Sequence, residues 1–328
     1  MGEAMKLLDI YKKLRSEIAD IEQVMEKAVR SEHAVLTEAS IHLLKAGGKR
    51  IRPIFVLLSG RFGNGNQERL IQIAASLELI HMASLVHDDV IDDAATRRGQ
   101  PTVRAKWDDR IAMYTGDYIF AQALKLASQV PNPRIHQILS RALVQMSIGE
   151  IEQIRLFFEP TQSIRDYLLR IRRKTALLIA VSCQLGALAA GVDHRSSNLL
   201  YKYGYNVGMA FQITDDLLDI NGTEKQLGKK PGSDVRQGNI TLPVILALQE
   251  DRLRLDLLNE LRKIQLGGGA QDTSRFIDMI RSSKGVQRAE HIARQYIDKA
   301  MNAIQSLSSS QARNDLMAIA SFIVNRSY

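Results

Sequence analysis

Apolar residues recur along this chain at steps of three and four over long stretches, the spacing of one face of an α-helix. The apolar–polar alternation of a half-buried strand is missing. Turn-forming clusters interrupt the pattern at 63–66 (Gly-Asn-Gly-Asn), 130–133 (Val-Pro-Asn-Pro), 159–161 (Glu-Pro-Thr), 191–193 (Gly-Val-Asp) and 267–269 (three glycines). A longer polar stretch, 221–239, holds four glycines and one proline. The segments between have helical length, and several are apolar on most sides, as in helices buried within a bundle. The pattern predicts an all-α fold without solenoid repeats. Residues 1–328 read as one helical-bundle domain, with 267–328 as more polar, peripheral C-terminal helices.

Composition narrows the class. A chain of 328 residues with 45% hydrophobic and 24% charged residues can bury a large core and is too apolar for disorder. The single cysteine, Cys183, excludes a disulfide scaffold and a cysteine-based zinc site, and fits a reducing compartment. No run is expected to approach the ~20 apolar residues of a membrane span. The N-terminus lacks the apolar stretch of a signal peptide, and Lys6 stands where a myristoylation signal wants Ser or Thr. The second methionine, Met5, raises the expectation that residues 1–4 are a cloning remnant. A cytoplasmic location without an anchor is the expectation. The net charge of +8 would suit nucleic acid, an acidic membrane or an anionic small molecule. Aromatics are only 5% and the basic residues fall in short, scattered clusters, which favours the small anionic ligand.

The most informative segment is 77–93, Leu-Glu-Leu-Ile-His-Met-Ala-Ser-Leu-Val-His-Asp-Asp-Val-Ile-Asp-Asp. On a helix Leu77, His81, Ser84, Asp88 and Asp92 share one face. A second cluster, 211–219, repeats the spacing with Asp215, Asp216 and Asp219. Asp is 21 of 328 residues, so one Asp-Asp-x-x-Asp is expected by chance about 0.1 times in such a chain. A solvated acidic face is the plain alternative, but the flanks (Val86, Val90 and Ile91; Phe211, Ile213, Leu217, Leu218 and Ile220) are apolar. Carboxylates so placed repel each other unless a cation compensates. Six aspartates without cysteine indicate a hard, oxygen-loving ion. Mg²⁺ fits, because it keeps waters and is held by one or two carboxylates plus substrate phosphates; calcium would want an EF-hand-like loop. Two acidic faces opposed across a cleft would then grip a phosphorylated substrate.

Basic residues for such phosphates stand at Gly47-Gly48-Lys49-Arg50-Ile51-Arg52-Pro53, Arg97-Arg98-Gly99, Lys174-Thr175 and Gly228-Lys229-Lys230. Singly, each reads as a solvated basic patch. Together they supply the hydrogen bonds and charge that a diphosphate needs beyond the metal. No P-loop is present, since the stretch 222–230 has the wrong glycine spacing and no Ser or Thr after its lysine. No Ser-His-Asp or Cys-His arrangement offers a nucleophile.

These motifs in this order, Gly-Gly-Lys-Arg-x-Arg-Pro, His-x-x-Ser-Leu-x-His-Asp-Asp-x-x-Asp, Arg-Arg-Gly, Gly-Asp, Lys-Thr, Gln-x-x-Asp-Asp-x-x-Asp and Gly-Lys, resemble the trans-isoprenyl diphosphate synthase family across about 36–243. More narrowly, 85–93, 105–117 and 173–186 resemble the large catalytic subunits (component II) of bacterial heptaprenyl diphosphate synthases. The resemblance implies an all-α isoprenoid-synthase fold with a central substrate cavity, and a reaction that joins isopentenyl diphosphate to an allylic diphosphate, farnesyl diphosphate, through an allylic carbocation. It implies a heptaprenyl product for the menaquinone side chain, a small dissimilar partner subunit or a homodimer, no nucleic acid, and only transient membrane contact. Three Mg²⁺ ions are implied with bound diphosphate: two on Asp88 and Asp92, a third on Asp215. Arg97, Lys174 and Lys229 would hold the allylic diphosphate; Lys49, Arg52, His81 and Arg98 would hold isopentenyl diphosphate. Thr175 and Gln212 would face the reacting carbons, where partial negative charge suits a cation and apolar walls exclude water. His87 reads as a packing residue and Asp117 as site support. One departure is Asn239, where many relatives carry lysine.

The helix before Asp88 is expected to line the tunnel for the growing hydrocarbon. At 1.5 Å per residue Ser84 lies ~6 Å, Ile80 ~12 Å and Leu77 ~16 Å below Asp88. Family members with short products tend to carry an aromatic residue four or five positions before the first aspartate; Ala83 and Ser84 are too small to close a tunnel there. A geranylgeranyl- or hexaprenyl-type synthase is the near alternative. A terpene cyclase would lack the second aspartate cluster, and an all-helical metal phosphohydrolase built on His87-Asp88 leaves Asp215–Asp219 and Arg97-Arg98 without a role. A non-catalytic regulatory subunit would not need the intact acidic and basic sets.

Overall fold

The computed structural model describes residues 2–223, 231–267 and 272–324. In chain order the helices are α1 (Gly2–Lys13), α2 (Arg15–Ala28), α3 (Ala34–Lys45), α4 (Ile51–Gly60), α5 (Gln67–Ile91), α6 (Val103–Lys106), α7 (Asp109–Ser128), α8 (Pro133–Arg155), α9 (Ile164–Ile171), α10 (Leu177–Ala189), α11 (His194–Asn221), α12 (Ser233–Arg236), α13 (Leu242–Ala247), α14 (Asp251–Leu266), α15 (Ser274–Arg281), α16 (Gly285–Gln305) and α17 (Gln311–Val324). A π-helical turn, Arg172–Ala176, joins α9 to α10. Among the described residues the only strands are the two-residue pair β1 (Thr96–Arg97) and β2 (Gln100–Pro101), which pair antiparallel. The all-α expectation holds.

The chain forms two compact units. The first comprises Met1–Ser140, Val181–Tyr201 and Leu307–Leu316; the second comprises Arg141–Ala180, Lys202–Ser306 and Met317–Tyr328. In the first, α5 packs on α2, α4 and α7. Its start is capped by Asn66, whose side chain accepts from the Glu68 N–H at 2.7 Å. Ile73, Ala74, Leu77, Leu79, Ile80, Met82, Ala83 and Val86 are buried around almost its whole circumference. This helix corrects one expectation. An 18-residue window of it has mean hydropathy 1.4, long and apolar enough to cross a membrane. Two-thirds of that window is buried in the protein, so it reads as a core helix. Beyond α5, the β1–β2 loop has Arg98 at φ +55° and Gly99 at φ +76°. Two successive left-handed residues make the tight hairpin turn whose twist matches its strands.

In the second unit α9 starts with a capping box: the Asp166 N–H donates to Ser163 Oγ at 3.2 Å, and the Ser163 N–H donates to Asp166 Oδ2 at 2.9 Å. Tyr167 and Ile171 then enter a core shared with Met209, Ile213 and Leu217 of α11 and with α13. The polar C-terminal segment contributes as well. Phe276, Ile277 and Ile280 of α15 and Val286, Ala289 and Ala293 of α16 are buried in the same core, so only one face of each amphipathic helix is polar.

Candidate active site

Asp88 and Asp92 occupy the last turn of α5, the Asp92 N–H donating to the Asp88 carbonyl at 2.8 Å. Both are half-buried. A helix C-terminus carries partial negative charge, so two carboxylates one turn apart are opposed by the dipole and by each other. The other aspartates of the run serve the protein. Asp89 is buried and takes Arg97 Nε at 2.8 Å, with a second guanidinium nitrogen of Arg97 at 2.7 Å. Burial raises its pKa and Arg97 counters the rise. Asp93 leaves the helix at φ +53° and pairs with Arg104. His87 lies off the Asp88 face. Its Nε2 sits 3.2 Å from Asp117 Oδ1, out of line for a hydrogen bond. Its ring packs so closely on Gly116 that any Cβ there would collide with it.

The first unit also gathers cations. Gly47 and Gly48, both at positive φ, and Arg50 at φ +44° lead the chain into α4. Arg50 is buried and donates to Glu22 at 3.0 Å, Glu78 at 3.3 Å and the Leu44 carbonyl at 3.1 Å. Arg52 follows two residues on. Burial pushes its pKa down to about 10 against the pull of Glu78, with Arg98 adding to the fall, and its Nε has no hydrogen-bond partner among the described residues. His81 is held well below the usual imidazole range by burial and then by Arg52, Arg98, Arg97 and Arg50. It is therefore neutral at pH 7. The Arg98 guanidinium packs on Gly48. The structure thus brings Arg52, Arg97 and Arg98 near His81, with Arg97 also paired to Asp89. Lys49 is different: it is exposed, and its carbonyl accepts from the Tyr11 hydroxyl.

The sequence reading missed Glu78, a buried acid inside an otherwise apolar run and the counter-charge of this cluster. Its i, i+3 spacing from His81 was the available signal. The Arg50–Glu78 pair is nearly inaccessible on both sides. Removing one member of such a pair strands the other. Glu78→Ala is expected to lose about 3–5 kcal/mol of stability, read as a lower urea midpoint.

In the second unit the π-helical turn carries Lys174 and Thr175. Lys174 Nζ lies 3.2 Å from Glu150 Oε2. The Thr175 hydroxyl donates to Gln212 Oε1 at 2.7 Å, and Gln212 Nε2 donates to Asp216 Oδ1 at 2.8 Å. The second aspartate cluster divides as the first does. Asp215 is exposed. Asp216 is buried, and burial pushes its pKa up to about 7 despite hydrogen bonds from Tyr167 and Gln212. Asp219 is buried and accepts from the N–H groups of Ser233 at 3.3 Å and Asp234 at 3.1 Å, closing the N-terminus of α12. Of the six aspartates in the two motifs, Asp89, Asp216 and Asp219 are buried. Lys229 lies outside the described residues. The Asn239 N–H donates to the Asp234 carbonyl at 2.8 Å.

Of the expected chain-length residues, Leu77, Ile80 and Ala83 are buried, and the half-buried Ser84 donates its hydroxyl to the His81 carbonyl at 2.8 Å. Ile80 and Ala83 share the row of Ser76 and His87, which faces α7: Ser76 Oγ donates to the Ala123 carbonyl at 2.8 Å. Leu77 and Ser84 share the row of Asp88.

Helices that end in carboxylates and gather guanidinium groups, within this all-α architecture, define an all-helical prenyltransferase. The chain belongs to the polyprenyl synthetase family, whose model matches residues 33–270. It is 49% identical over 324 residues to the heptaprenyl diphosphate synthase component 2 of Geobacillus stearothermophilus, covering 99% of this chain and 100% of that one. Among solved structures, the heptaprenyl diphosphate synthase of Staphylococcus aureus superposes with a TM-score of 0.88 at 40% identity, over 95% of this chain and 98% of that one. A polyprenyl synthase of Caulobacter crescentus, solved with calcium and isoprenyl diphosphate, superposes at 0.90 with 32% identity over 98% of each chain.

Proposed function

We propose that this chain is the catalytic subunit of a heptaprenyl diphosphate synthase, extending farnesyl diphosphate with isopentenyl diphosphate to a product used for the menaquinone side chain. The observation that carries the reading is the Asp88/Asp92 pair at the negative end of α5, in the same unit as the Arg52–His81–Arg97–Arg98 cluster. Mutual repulsion and the helix dipole both act against the pair, a setting that suits a cation, and the cluster fits a diphosphate.

Mg²⁺ suits these donors. Among the described residues no three carboxylate, imidazole or thiol groups converge as a ready cage. Mg²⁺ does not need one, because water and substrate phosphates complete its shell. Asp88, Asp92 and Asp215 would hold it, as three ions when diphosphate is bound. When bound it neutralises the allylic diphosphate and stabilises the charge that grows there as the C–O bond breaks. Arg97, Lys174 and Lys229 bind that diphosphate directly. Lys49, Arg52, His81 and Arg98 bind isopentenyl diphosphate, where bidentate guanidinium contacts orient it. The Thr175 hydroxyl and the Gln212 amide oxygen offer partial negative charge toward the allylic cation without a strong nucleophile to trap it. The isopentenyl double bond attacks the cation, and the resulting proton leaves with the departed diphosphate as acceptor.

The name component 2 of the 49% identical relative supports a small, dissimilar partner subunit. We place the enzyme in the cytoplasm, where its water-soluble diphosphates are, with transient membrane contact when the product leaves. The test is incubation of the full chain with labelled isopentenyl diphosphate and farnesyl diphosphate, with and without Mg²⁺ and a candidate small subunit. Expected is Mg²⁺-dependent elongation to the heptaprenyl length. Release of phosphate alone, or elongation that survives complete chelation of divalent ions, would overturn the reading.

A further inference from the structure

Tyr167 on α9 is completely buried, yet its hydroxyl is not idle: it donates to Asp216 Oδ2 at 2.6 Å. Asp216 uses its other oxygen, Oδ1, to accept from Gln212 Nε2 at 2.8 Å. Gln212 Oε1 in turn accepts from the Thr175 hydroxyl at 2.7 Å. The four groups form one unbranched chain running from the core of the second unit to the π-helical turn. Such turns within helices often mark functional sites.

The polarity of this chain is fixed from its buried end. Asp216 Oδ2 takes the Tyr167 hydroxyl and Oδ1 takes Gln212 Nε2, which leaves the Gln212 amide oxygen toward Thr175. The Thr175 proton is thereby committed to Gln212, and the lone pairs of its oxygen take no part in this chain of bonds. Gly208 completes the arrangement. It stands one turn before Gln212 and two before Asp216 on α11, and a Cβ there would come within 2.5 Å of the Ala176 Cα. Its lack of a side chain lets α11 approach the turn that carries Thr175.

We propose that Tyr167 is a positioning residue for prenyl transfer, fixing the orientation of Thr175 and Gln212 through Asp216. Without its hydroxyl, Asp216 loses one of the two donors that hold its plane. Gln212 is then free to flip its amide, and a flipped amide turns NH₂ toward Thr175 and reverses the charge offered to the reacting carbons. Buried hydrogen-bond chains of this kind act as units. The inference rests on the prenyl-transfer reading above.

The test compares wild type, Tyr167→Phe, Thr175→Val and the double variant as full chains, in the same subunit mixture, with kcat and KM measured for isopentenyl diphosphate. Tyr167→Phe keeps the ring within the core that also holds Ile171, Met209 and Ile213. It is expected to lower kcat about 10- to 100-fold, less than the ~100- to 1,000-fold for outright loss of a preorganised donor because Tyr167 acts through two intermediaries, while KM changes less than about twofold. Its rate with a 2-fluoro allylic primer, whose cation is less stable, should fall further than its rate with the normal primer. In the Thr175→Val background the Tyr167→Phe change should add little, because both act through one chain. If the phenylalanine variant does not fold, 3-fluorotyrosine at position 167 alters the hydrogen bond with little change of shape, and the same split is expected at smaller size. An unchanged kcat, a loss carried by KM, or a full multiplicative effect in the double variant would overturn the proposal. Absence of elongation by the wild type would overturn the prenyl-transfer reading and this inference with it; elongation by the wild type together with normal kcat for the variant overturns only the role of Tyr167.

Discussion

Asp88→Ala is expected to reduce chain elongation by about a thousandfold or more, since charge stabilisation at a developing leaving group is among the largest catalytic effects a single side chain supplies. Thermal stability is not expected to fall with it. Asp88 and Asp92 lie one turn apart at the negative end of α5, so removing one relieves repulsion from the other and from the helix dipole. Activity lost at constant or raised melting temperature is the signature of a functional carboxylate. Asp89→Ala is the contrast: it strands Arg97, so both activity and melting temperature should drop. An Asp88→Ala protein that elongates normally would remove the basis of the proposed function.

Ser84→Phe is expected to shorten the product from the heptaprenyl to about the farnesyl or geranylgeranyl length. Ser84 is half-buried on the Asp88 row, ~6 Å along the helix from that aspartate. An aromatic ring there blocks a hydrocarbon growing down this face after one or two additions. Ala83→Phe should shorten the product as well, but by another route. Ala83 is fully buried on the row that faces α7, so the ring must displace neighbours, and overpacking of this kind costs about 1–3 kcal/mol. A shorter product with a lowered melting temperature is expected for Ala83→Phe, and a shorter product alone for Ser84→Phe. Product analysis by chain length together with thermal melts separates the two. Unchanged length in both variants would remove α5 from the wall of the product tunnel.

The helical class was plain from periodicity, because three- and four-residue apolar spacing over long runs admits little else. The candidate residues were plain as types: aspartates at i and i+4 on apolar helices, and glycines beside Lys and Arg. Their individual orientations were not. In the run 88–93, four aspartates look alike in the sequence, yet Asp89 is buried on Arg97 and Asp93 is drawn out of the helix by Arg104. In 215–219, Asp219 serves as a cap for backbone amides that come from 14 and 15 residues further on. The role of Glu78 was not legible from its spacing to His81 alone, because a lone acid in an apolar run gains its meaning from Arg50, 28 residues away. The hydropathy of α5 likewise passes for a membrane span until its burial is known.

Local order along the chain was enough to specify helices, their breaks and the kinds of chemistry on offer, since these depend on neighbours within a turn or two. Which carboxylate faces solvent, which arginine is committed to a buried partner, and how Tyr167 reaches Thr175 through two intermediaries depend on residues tens of positions apart. Those pairings are settled by packing, because burying a charge without a partner costs more than any local preference can repay.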